Sequence, residues 1–131
     1  DRPMKKGGIL HPELSHVLAS SGHTDFLLIS DRGFPVPEEP QRIDLALVDD
    51  KPTVLDVLAA IDAEWSIDRV IITEEMTLVS PHRVEEVQAL LPNVRFETIS
   101  HLELKRLGHG AKATIRTGDS CPYANLIIVS G

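Results

Sequence analysis

Short apolar runs alternate with stretches of helical periodicity along this chain, and that alternation restricts the fold more than any other feature. Phe26 to Ile29 is apolar at every position and is bounded by Asp31 and Gly33, the pattern of a strand buried on both faces. Before it, Leu14, Val17 and Leu18 recur at helical spacing between His11 and Ser21, with Pro12 suited to a first turn and Gly22 to a stop. After it, Ile43 to Val48 predicts a second strand. Thr53 then caps a helix whose inner face carries Val54, Leu58, Ile61 and Trp65. Val70 to Thr73 predicts the third strand, with Glu74-Glu75 as its end. Ser80-Pro81 reads as an N-cap and first-turn proline of a helix that turns Val84, Val87 and Leu91 inward and ends at Pro92. Val94 to Ile99 predicts a strand, His101 to Leu107 a short helix, and Ala111 to Thr117 and Leu126 to Val129 two closing strands.

This order predicts an α/β fold, with a largely parallel sheet and helices on its faces. A chain of 131 residues with 42% hydrophobic content suits one compact domain over 1–131, in which Asp1-Arg2-Pro3 reads as an addition before a natural start at Met4. Ligands in such sheets gather beyond the carboxyl ends of the strands. The Pro- and Gly-rich loop from Asp31 to Pro40 and the residues after Ile99 are therefore the places to search.

Composition removes several function classes. A net charge of −7 opposes phosphate backbones, and Lys and Arg form no stripe, so nucleic acid is not an expected partner. The apolar runs fall well short of the roughly 20 residues that cross a bilayer. One cysteine, Cys121, permits no internal disulfide; with no signal-peptide pattern, the expected compartment is the cytoplasm. His11 and His16 are spaced off one helical face, and neither HExxH nor paired cysteines occur, so no metal site is expected. Glycine motifs of the GxGxxG and Walker A kind are missing as well, so the phosphate-cradling loops of nucleotide enzymes are not expected. Few aromatic residues leave a small polar ligand as the best fit.

Several residues carry the chemistry such a ligand needs. His23 stands in Gly22-His23-Thr24-Asp25, where Asp25 could orient the imidazole, although the tetrapeptide alone favours a turn histidine. Asp31, at the end of a buried strand, either accepts hydrogen bonds from ligand hydroxyls or starts a turn. His101 and Lys105 are one helical turn apart and share a face, solvated or ligand-bound. Tyr123 and Asn125, two apart in a polar segment read as extended, would point the same way. Cys121, beside Asp119 and without a neighbouring base, reads as a turn residue.

Together, Met4-Lys5-Lys6-Gly7-Gly8-Ile9-Leu10, Gly22-His23-Thr24-Asp25, Asp31-Arg32-Gly33-Phe34-Pro35-Val36-Pro37, Arg42-Ile43-Asp44 and Pro122-Tyr123-Ala124-Asn125 closely resemble the D-ribose pyranase family, over Met4 to Gly131. Fucose mutarotases are similar in the Gly-His element, but the last two segments resemble the ribose branch. The resemblance implies exchange between the pyranose and furanose forms of D-ribose, without metal or coenzyme. It places the catalytic histidine on His23 and the sugar-binding residues on Asp31, His101, Tyr123, Ala124 and Asn125, with Lys105 beside them. It also implies ring-shaped homo-oligomers, typically decamers of two pentamers, in which the Tyr-Ala-Asn segment completes a neighbour's site. The alternatives are a mutarotase for fucose or another monosaccharide, and a sugar-binding protein without catalysis.

Overall fold

A computed structural model describes residues 7–38 and 41–131 of the chain. Asp1-Arg2-Pro3, the Met4-Lys5-Lys6 part of the first matched segment and the Pro40 end of the loop lie outside these residues. In chain order the elements are α1 (Pro12–Ser20), β1 (Phe26–Ser30), β2 (Gln41–Asp44), α2 (Val54–Asp62), β3 (Ile67–Thr73), α3 (Glu74–Val79), α4 (Pro81–Leu90), β4 (Arg95–Ile99), α5 (His101–Gly108), β5 (Ala113–Arg116) and β6 (Leu126–Ser130).

The strands form one six-stranded sheet in the order β2-β5-β1-β6-β3-β4. All neighbouring pairs are parallel except those of β6, which runs antiparallel between β1 and β3, with Leu126 opposite Ile29. Successive strand side chains point to opposite faces. Leu27, Ile29, Ile72, Ile115, Leu126 and Ile128 thus meet α1, α2 and α4 on one face. Leu28, Ile71, Ile127 and Val129 meet Leu104 of α5 and Phe34 on the other. Apolar runs such as Phe26 to Ile29 are explained by this two-sided burial.

Three local expectations are corrected. The second strand stops at Asp44 and does not reach Val48, because Asp44 Oδ1 accepts the Ala46 N–H at 3.1 Å and turns the chain. Glu74-Glu75 is not a strand end but the first turn of α3, which Thr73 caps through its hydroxyl to the Met76 N–H at 3.0 Å. Ser80 occupies the N-cap position of α4 but makes no capping bond; its hydroxyl donates instead to the Pro122 carbonyl at 2.7 Å. Thr53 caps α2 as expected, in a capping box with Asp56.

Candidate functional site

The carboxyl ends of β1, β4 and β5 and the start of antiparallel β6 share one edge of the sheet. A cleft of about 340 Å³ opens there, lined among others by Asp31, Phe34, His101, Lys105, Tyr123 and Asn125. Each reaches it from a different piece of chain. Asp31 follows β1, His101 and Lys105 begin α5, and Tyr123 and Asn125 belong to the segment before β6.

Asp31 is held by its surroundings before any ligand arrives. Its backbone N–H donates to Asn125 Oδ1 at 2.7 Å, and its Oδ1 accepts the Gly33 N–H at 3.0 Å. Burial raises the carboxyl above the ordinary carboxylate range, while the amides of Gly33, Asn125 and Phe34 pull it back; the charge of Asp119 pushes it up. His101 stands edge-on to Tyr123, with ring centroids 5.1 Å apart, and to Phe34 at 5.9 Å. Its backbone N–H donates to Glu75 Oε1 at 2.9 Å. Burial, followed by the charge of Lys105, lowers the His101 pKa against the opposing charges of Glu75 and Asp31. A neutral imidazole and a partly desolvated carboxylate therefore face one cleft, a combination suited to hydroxyl groups.

The segment from Thr117 to Asn125 forms one wall and is anchored at many points. Asp119 is fully enclosed: it accepts from the Val54 and Cys121 N–H groups, each at 2.9 Å, and pairs with Arg83. Ser120 bonds the Asp50 carboxylate, and Ser80 holds Pro122. Tyr123 takes a left-handed φ of 59°, and the Asn125 N–H closes onto the Tyr123 carbonyl at 2.8 Å. The stretch is thus not extended. Tyr123 is 36% exposed and Asn125 2%, and both line the cleft.

Ala124 is fully buried and packs into the core beneath the cleft. His23 is elsewhere. It is exposed at the amino end of β1, and a five-residue strand, about 17 Å long, separates it from Asp31. The carboxylate of Asp25 does not orient it, because Asp25 Oδ2 accepts the Gly22 N–H at 2.7 Å and lies 3.6 Å from Lys112 Nζ. Tyr123 and Asn125 line their own chain's cleft with Asp31, His101 and Lys105, so of the expected set His23 and the buried Ala124 are the members that do not line it.

Glu75, Ser80, Arg83 and Asp119 were not singled out as site residues by the sequence. Arg83 and Asp119 lie 36 positions apart, and no local pattern links them. Cys121 has a base near it after all, with Sγ 4.0 Å from His82 Nε2. Among the described residues no cluster of three or more His, Cys, Asp or Glu is arranged to hold a metal ion, and no helix is long and apolar enough to cross a membrane.

A three-layer α/β domain with a polar cleft at its carboxyl edge defines a class of small-ligand proteins. The chain belongs to the RbsD / FucU transport protein family, whose model matches residues 4–131. The D-ribose pyranase of Geobacillus thermodenitrificans is 44% identical to it over 128 residues, covering 98% of this chain and 97% of the relative. The structure of Bacillus subtilis RbsD complexed with D-ribose superimposes with a TM-score of 0.93 at 39% identity, covering 98% of both chains. The fucose mutarotase of Streptococcus pneumoniae in complex with L-fucose shares the fold, with a TM-score of 0.75 at 17% identity over 93% of each chain.

Proposed function

We propose that this protein is an isomerase that interconverts the pyranose and furanose forms of D-ribose. The observation that carries the reading is the cleft: acceptor Asp31, neutral His101, Lys105 and Tyr123 converge on a volume suited to one small polyol. The chain's similarity to D-ribose pyranases and to a ribose-complexed RbsD structure supports the same reading.

Ring exchange is proton-transfer work. The anomeric hydroxyl loses a proton, the bond from the anomeric carbon to the ring oxygen breaks, and that oxygen gains a proton. Reclosure through a different hydroxyl changes the ring size. A positioned imidazole typically contributes roughly 10² to 10⁴ in rate to such a step. We assign that transfer to His23, with Asp31, His101, Lys105 and the Tyr123-Ala124-Asn125 segment forming the sugar pocket.

Since His23 lies at the opposite end of β1 from the cleft, the reading requires His23 of a second copy to reach it. Exposed apolar side chains support such an assembly. Leu47, Leu78 and Leu102 are 80%, 81% and 78% exposed, and all three follow the carboxyl ends of strands at the cleft-bearing edge. A closed ring of copies, doubled to a decamer, covers that edge. The expected compartment is the cytoplasm.

Saturation-transfer NMR on ribose tests the activity. An enzyme speeds exchange between pyranose and furanose signals at catalytic protein levels. Unchanged exchange with ribose rejects the reading. Anomer exchange alone, with fucose, identifies a mutarotase, and line broadening without exchange identifies a sugar-binding protein.

A further inference from the structure

His101 brings an imidazole to the cleft, yet no hydrogen bond from Nδ1 fixes that ring: the atom is buried and has no partner. Phe34 and Tyr123 flank it edge-on. Its polar anchorage therefore falls to the backbone at the start of α5. The first N–H groups of a helix have no partner within it. Two acceptors divide them here: Ser100, the residue before the helix, takes the Glu103 N–H at 3.1 Å, and Glu75 Oε1 takes the His101 N–H at 2.9 Å. Ser100 moves with α5. Glu75 belongs to α3, 26 positions earlier, and ties α5 to a different part of the fold.

We propose that Glu75 is a positioning residue for the cleft: its carboxylate tethers the first turn of α5 to α3 and so sets where His101 and Lys105 stand. The proposal rests on the sugar-isomerase reading for its substrate but on the geometry of the tether for its logic. Glu75 is not among the described residues that line the cleft, so it acts through α5 and not on the sugar. Its own support is firm. Thr73, fully buried at the end of β3, caps α3 through the Met76 N–H, and Met76 is fully buried in the core.

The covalent path into α5 is weaker support. It comes through Ser100 from β4, the edge strand of the sheet, where no side chain is fully buried. The Glu75 bond instead refers α5 to β3, which lies inside the sheet. Farther along, fully buried Leu104 seats the middle of α5 on the sheet. Two fixed points define the direction of a short helix, and one does not. Lys105, one turn after His101, follows the same direction into the cleft. What the tether needs is an acceptor at the reach of a Glu side chain. Gln supplies one without charge, Asp supplies the charge one methylene short, and Ala supplies neither. Since a negative charge near a helix amino end is favourable in itself, these three substitutions separate a tether from a field effect.

The test measures ribose exchange in Glu75→Ala, Glu75→Asp and Glu75→Gln, and in His101→Ala with and without Glu75→Ala. Glu75→Ala and Glu75→Asp are expected to raise KM about tenfold with kcat little changed, and Glu75→Gln to restore KM to within about threefold of the parent. In the His101→Ala background, Glu75→Ala should add less than about threefold. A Gln variant as impaired as the Ala variant, or a full penalty on top of His101→Ala, overturns the proposal. A second readout needs no sugar: the His101 ring-proton NMR signals, which the Phe34 and Tyr123 rings shift. They should move in the Ala and Asp variants and return in Gln, and signals unmoved in Ala overturn the tether. If Glu75→Ala does not fold, Glu75→Asp carries both readouts. A parent that fails to exchange ribose rejects the isomerase reading, while the ring signals still decide the tether.

Discussion

Arg83 on α4 and Asp119 in the segment before β6 form an ion pair in which the carboxylate is fully enclosed. The pair joins a helix on one face of the sheet to the wall of the cleft. Asp119 also receives the Val54 and Cys121 amides, so three pieces of chain converge on one carboxylate. Removing one partner of a buried pair leaves the other charge uncompensated, at a cost of about 3 kcal/mol. Arg83→Met should lower unfolding stability by that order in urea titration, and adding Asp119→Asn should restore part of it. A loss below about 0.5 kcal/mol would place the pair among inert surface contacts.

Asp31 trades stability for function. Its folded pKa is raised, so between its ordinary value and that raised value the folded state holds more protons than the unfolded one. Stability from this group is full at low pH and is lost as pH rises through the folded pKa. Above its folded pKa the ionised carboxylate is thus a net cost. Asp31→Asn should raise Tm by a few degrees while weakening ribose exchange roughly tenfold or more. A variant that lost both Tm and activity would show that the carboxylate supports the loop.

The opposite sign applies to His101, whose folded pKa is depressed by burial and Lys105. Its contribution is full above the ordinary histidine value of about 6.5 and is lost as pH falls through the lower folded pKa. His101→Gln should flatten the decline in Tm between about pH 7 and pH 5 relative to the parent. Parallel curves for the two proteins count against a buried neutral imidazole.

His23 is exposed, so His23→Ala should leave Tm unchanged while ribose exchange falls by roughly 10²-fold or more. The informative measurement is a mixture. If His23 of one copy serves the cleft of another, co-folded His23→Ala and Asp31→Asn chains form some sites with both residues intact and recover activity that neither variant has alone. Failure to recover, with mixed oligomers verified by mass, means that His23 does not work across copies.

The exposed apolar edge adds a simpler check. Leu78→Glu and Leu102→Glu should shift the oligomer toward smaller species in ultracentrifugation and lower activity with it. Single charges there that leave the assembly intact would locate the interface elsewhere.

Much of the fold was legible in the sequence because buried strands and amphipathic helices carry strong periodic signals. Phe26 to Ile29, the Thr53 cap and the inward row of α4 all read correctly. Misreadings fell where one side chain overrode the local pattern: Asp44 ended β2 early, and Thr73 turned an acidic pair into a helix start. The cleft's position followed from a topological rule, but its internal wiring did not. That Ser80 serves Pro122 and not its own helix, and that Asn125 accepts the Asp31 N–H, depends on contacts 42 and 94 positions apart, which no local pattern records.

The strand latest in chain order sits in the middle of the sheet. During synthesis, β2, β5 and β1 can pair on one side and β3 with β4 on the other, but no strand contact joins the two groups until Leu126–Ser130 emerges. Until then β1 and β3 each present an open edge of unpaired backbone, the surface on which nascent chains aggregate. A chain of this order thus holds two half-sheets that stay unjoined until β6 fastens them together.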